Sequence, residues 1–62
     1  MTYILNKDIR VITGITSFGL LKGAKINVTQ KDNEYNKVLV DFGNGYMDWF
    51  HESFLNNWEL VK

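Results

Sequence analysis

The run Val38-Leu39-Val40-Asp41-Phe42-Gly43-Asn44-Gly45-Tyr46-Met47-Asp48-Trp49-Phe50 narrows the folds open to this chain more than any other segment. Asn-Gly accepts the positive φ that a two-residue hairpin turn requires at both central positions, and the flanking β-branched and aromatic residues suit a pleated surface. With Asn44 and Gly45 as the turn, Phe42 faces Met47, Val40 faces Trp49 and Val38 faces His51. That face is apolar and is expected in the core. The opposite face carries Leu39, Asp41, Tyr46, Asp48 and Phe50, with Asp41 directly across from Asp48. Gly43 leaves a three-residue loop open, and that loop exchanges the partners.

The remaining chain reads as short strands and loops. Tyr3 to Leu5 and Ile9 to Ile12 are predicted strands separated by the turn residues Asn6, Lys7 and Asp8. Thr13 to Leu20, with Gly14 and Gly19 around Ile15 and Phe18, reads as a long, partly ordered loop. After Gly23, Ala24, Ile26 and Val28 alternate with Lys25, Asn27 and Thr29, which predicts a half-buried strand. Gln30 to Lys37 is polar around Tyr35 and reads as an exposed loop. His51 to Asn57 is expected to form one short helical turn, and Trp58 to Val61 a last strand. Phe50, Phe54 and Trp58 recur every four residues, so a longer helix across residues 49–58 stays open. Ile26, Val28, Val38, Val40, Phe42, Trp49, Phe54 and Leu60 are the expected core of an all-β domain spanning residues 1–62.

Size makes that core critical. A chain of 62 residues buries only about 60% of the surface it exposes when unfolded. It has no cysteine and His51 is its single histidine, so neither a disulfide nor a Cys/His zinc site is there to staple it. Aromatic residues, 15% of the chain, are one means of closing so small a core, and self-association is the other route. Seven basic residues balance seven acidic ones, which removes the general field that draws proteins onto nucleic acid or anionic membranes. No apolar run reaches membrane-spanning length and Tyr3-Ile4-Leu5 is too short for a signal segment, so a cytoplasmic protein is expected.

From Leu21 to Val61 the order of elements resembles the SH3-like barrels. The resemblance is carried by Lys22-Gly23-Ala24-Lys25-Ile26-Asn27-Val28, by Val38-Leu39-Val40-Asp41-Phe42-Gly43-Asn44-Gly45, by Trp49 and Phe54-Leu55, and by Trp58-Glu59-Leu60-Val61. It looks most like the small SH3-like proteins of Gram-positive bacteria and their phages. What the resemblance implies is an SH3-like barrel of about five strands with one helical turn near its end. The aromatic-acidic cluster with which signalling domains of this fold grip proline-rich peptides has no counterpart between Tyr3 and Phe18. The ribosomal and transcription-factor branch shares Lys22 to Val28 but not its later glycine-centred turn or its basic surplus.

Candidate chemistry is sparse. His51 and Glu52 are adjacent and point apart in an extended chain, and no Ser or Cys nucleophile is placed by a motif, so no catalytic residue is assigned. Asp41 and Asp48 lack the further oxygen ligands a calcium or magnesium site needs, and neither metal nor cofactor is expected. Trp49 and Trp58 read as core rather than as ligand platforms. Leu39, Asp41, Tyr46, Asp48 and Phe50 form the expected partner-binding set, since an apolar and aromatic patch rimmed by charge suits a protein partner or a second copy of this chain. The competing set is Lys22, Lys25, Lys31 and Lys37 with Tyr35, a rim for the phosphates of a nucleic acid.

Overall fold

The computed structural model describes residues 1–62 and is all-β apart from one short 3-10 helix. The strands are β1 (Thr2–Leu5), β2 (Ile9–Ile12), β3 (Ser17–Leu20), β4 (Lys25–Asp32), β5 (Lys37–Asp41), β6 (Met47–His51) and β7 (Trp58–Leu60), with the 3-10 helix at Glu52–Asn57. Five of them form an antiparallel sheet in the order β6-β5-β4-β1-β7, and β2 pairs only with β3. The sheet is open, with β6 and β7 as its edges.

Residues 13–20, expected as a loop, contain β3 instead. Thr13 closes the tip of the β2–β3 hairpin: its N–H donates to Thr16 O at 2.8 Å, and its hydroxyl accepts the N–H groups of Ile15 and Thr16. Such hydroxyl-to-backbone bonds satisfy a tight turn that Gly14 alone would leave loose. Val11 and Phe18 pair on the hairpin's inner face, and Phe18 meets Phe42 edge-on at 5.2 Å. The hairpin thereby covers one side of the large sheet.

The alternation expected from Ala24 to Thr29 is present, with Ile26 and Val28 buried and Lys25, Asn27 and Thr29 exposed. The strand nevertheless runs on to Asp32, so the exposed loop shrinks to residues 33–36, held where Asp32 Oδ1 accepts the Glu34 N–H at 2.9 Å. A bulge at Thr29 shifts the register: Val28 faces Val40, but Gln30 faces Leu39 and Lys31 faces Val38. One inserted residue thus sends Lys31 to the inner face.

The β5–β6 hairpin takes the three-residue loop. Gly43 and Gly45 adopt φ of 77° and 89° while Asn44 does not enter the positive region, and Phe42 N–H donates to Tyr46 O at 3.2 Å. With two glycines available, the left-handed positions fall on residues lacking a Cβ, which removes the advantage of an Asn-Gly turn. Val38 therefore faces Phe50, Val40 faces Asp48, Leu39 faces Trp49 and Asp41 faces Met47.

The expected core is corrected at two positions. Trp49, turned outward by that register, is 41% exposed, and Leu60, on the edge strand β7, is exposed as well. Ile26, Val28, Val38, Val40 and Phe42 are buried as expected, joined by Leu5, Val11 and Trp58, with Phe54 and Phe50 partly buried against them. The rings of Phe18, Phe42, Tyr46, Phe50, Phe54 and Trp58 form one connected cluster, tightest where Phe50 stacks on Phe54 at 4.5 Å. The helical turn ends at Asn57, as the shorter reading has it, and Trp58 begins β7.

Candidate functional site

The five residues expected on one outward face are divided between two. Leu39 and Asp41 lie on the outer face of the sheet, whereas Tyr46, Asp48 and Phe50 share the inner face with Val38, Val40 and Phe42. Phe50 belongs to the core, against Phe42 and Phe54. Asp41 and Asp48 do not face one another: Asp41 Oδ1 accepts the Gly43 N–H at 2.8 Å and shapes the hairpin loop. The outer face instead brings Leu39 together with Trp49 and places Met47 beside them, across from Asp41. Trp49 and Met47, 41% and 48% exposed, are the residues that the two-residue-turn register hid in the core. The signal that finds them is Gly43, because a Gly-Asn-Gly loop offers two glycines for positive φ.

Asp48 has a definite role on the inner side. Tyr46 Oη donates to its Oδ2 at 2.7 Å, and the Trp49 N–H donates to its Oδ1 at 2.8 Å. The phenol first, and the Trp49 amide second, hold the Asp48 carboxyl below its ordinary value. The same bond raises the Tyr46 phenol, with the Thr13 hydroxyl acting in the opposite direction. A depressed carboxylate stabilises the fold above its unfolded value of about 4, and that contribution is lost as pH falls through the folded value. A raised phenol stabilises it below about 10 and loses that contribution as pH rises through the folded value. Urea titrations of wild type and Asp48→Asn at mildly and strongly acidic pH should therefore show the stability gap between them narrowing on acidification. A gap that does not change with pH would remove the carboxylate from the stability balance.

The lysines do not converge. Lys25 and Lys37 are exposed on the outer face at opposite ends of the sheet, Lys22 lies in the turn after β3, and Tyr35 is exposed in the loop between β4 and β5. The six-residue step from Lys25 to Lys31 along β4 spans about 20 Å. Lys31 turns inward and pairs with Glu52 at 3.8 Å. It borders a groove of about 420 Å³ whose apolar lining includes Met1, Tyr3, Val28, Val38 and Leu55. His51, at the mouth of that groove, caps the 3-10 helix, its Nδ1 accepting the Ser53 N–H at 3.2 Å. His51 and Glu52 are thus engaged with Ser53 and Lys31 respectively rather than with each other.

No three His, Cys, Asp or Glu side chains converge as metal ligands, and no helix is long and apolar enough to cross a membrane. Fold and surface together describe a small all-β domain with an aromatic core and an apolar outer hairpin face. No family model matches the chain, and neither a curated protein nor a solved structure is found to be similar to it.

Proposed function

We propose that this chain is a non-catalytic protein-binding module of the SH3-like barrel type. The observation that carries the binding reading is the exposed outer hairpin face, where Trp49 and Met47 stand beside Leu39 with Asp41 at the rim. Exposed tryptophan and methionine are typical anchors of protein interfaces, and they are costly to leave in water unless a partner covers them. The SH3-like reading is supported by the order β6-β5-β4-β1-β7, by the β2–β3 excursion and by the 3-10 helix that precedes the last short strand. The setting we favour is the cytoplasm, as an accessory or regulatory protein of a Gram-positive bacterium or its phage, in keeping with the resemblance and with the absence of cysteine.

An affinity capture from lysate with and without nuclease tests the reading. Wild type should retain a protein partner that resists nuclease, and Trp49→Lys with Met47→Lys should lose it at least tenfold, the usual scale for interface anchors. Lys25→Glu with Lys37→Glu should leave capture unchanged. Loss of partners on nuclease treatment or on lysine reversal would transfer the function to nucleic acid, with affinity falling steeply as salt rises.

A further inference from the structure

The Phe42 N–H bond to Tyr46 O fixes the parity of the β5–β6 ladder. Hydrogen-bonded and non-bonded pairs alternate in an antiparallel ladder, so Val40 with Asp48 and Val38 with Phe50 are also bonded pairs. The main-chain groups of Met47, Trp49 and His51 consequently point away from β5. Since β6 is an edge of the sheet, no strand of this chain pairs with them. The central donor among them is already occupied: the Trp49 N–H donates to Asp48 Oδ1, while Tyr46 holds Oδ2. A carboxylate clamped over the middle amide of a short edge strand denies that donor to an incoming strand.

We propose that the β6 edge is a pairing site for a second copy of this chain, and that Asp48, held by Tyr46, is the plug that keeps it closed. Register and charge select the occupant. Two-fold antiparallel pairing centred on Trp49 sets Met47 of one copy against His51 of the other and Asp48 against Phe50, so no like charges oppose one another. The formal net charge of zero removes long-range repulsion between copies. Pairing also sets the two Trp49 side chains next to each other on one continuous outer face, so that each flanks the other. Centring on Asp48 would oppose two carboxylates and is excluded on the same grounds. This inference names one occupant for the hairpin assigned above, and it rests on that reading only in placing association there.

Sedimentation equilibrium across a concentration series tests it. Asp48→Val removes both acceptor oxygens but keeps a strand-favouring residue, and should tighten self-association about tenfold or more, the scale of two regained main-chain bonds, one from each copy. Asp48→Asn keeps an oxygen for the Trp49 N–H and should associate as wild type does. Adding Met47→Pro to Asp48→Val deletes an edge-directed N–H without touching the β5 ladder, and should restore the wild-type level. Circular dichroism monitors the fold, and Asp48→Ile, which also carries no acceptor, decides the matter in the same way if the valine variant does not fold. A folded valine or isoleucine variant that associates no more tightly than wild type, or a dimer indifferent to Met47→Pro, overturns the proposal. So does gain of binding to another protein without self-association, because the edge would then take a foreign strand. The Trp49→Lys capture experiment keeps Asp48 intact, so failure there leaves this result unaffected.

Discussion

Phe42→Ala is expected to cost about 3–5 kcal/mol, the usual range for truncating a buried aromatic side chain. A chain of 62 residues has only about 3–9 kcal/mol of stability in all, so the variant should be largely unfolded or very near its midpoint in plain buffer. Phe42 is the meeting point of the molecule: its ring touches Phe18 of the β2–β3 hairpin, Tyr46 and Phe50 of its own hairpin, and Phe54 of the 3-10 helix, at 5.2 to 6.2 Å. Its removal therefore uncouples the hairpin, the sheet and the helix together. Urea unfolding followed by tryptophan fluorescence measures the loss. A cost below about 1.5 kcal/mol would mean that the hairpin and helix are not held through this ring.

The second large effect contrasts two neighbours in sequence. Phe50→Lys should destabilise by about 3 kcal/mol or more, because it breaks the stack on Phe54 and brings an ammonium to the aromatic cluster. Trp49→Lys, one residue earlier, should stay within about 0.5–1 kcal/mol of wild type, as exposed positions do. Thermal unfolding of the two variants reads the hairpin register directly. The reverse ordering would reinstate the two-residue turn, with Trp49 inside and Phe50 outside.

That contrast also marks how far the sequence could be followed. Strands with strict alternation were legible: Ile26 and Val28 against Lys25 and Asn27 needed only the two-residue period of a strand. The helical turn was legible from Asn56-Asn57, and the all-β class from the spacing of short apolar runs. Hairpin register was not, because it turned on which of three adjacent residues would take positive φ, and Gly43 competed with Asn44 for that role. A slip of one residue then exchanged the faces of β6, moving Trp49 out and Phe50 in, and it split the expected binding set. The spacing of Phe50, Phe54 and Trp58 contained a true association in the wrong geometry: the three rings do pack in succession, but from a strand, a 3-10 turn and a second strand rather than from one helix. The Thr29 bulge left no mark in the pattern of residues, so the inward turn of Lys31 depended on pairing that only the folded sheet supplies.

The position of β1 between β4 and β7 has a bearing on how the molecule opens. Tyr3 faces Leu60 across one ladder and Ile26 across the other, and Leu5 and Trp58 are buried as a facing pair. Bringing residues so far apart in sequence together costs on the order of 3–4 kcal/mol in chain entropy, a cost the contiguous β4–β5–β6 meander largely avoids. The first and last strands are thus each other's support. Detachment of β7 strips β1 of one neighbour and exposes Leu5 to water, so amide exchange in the first and last strands should share a single opening event rather than two local ones.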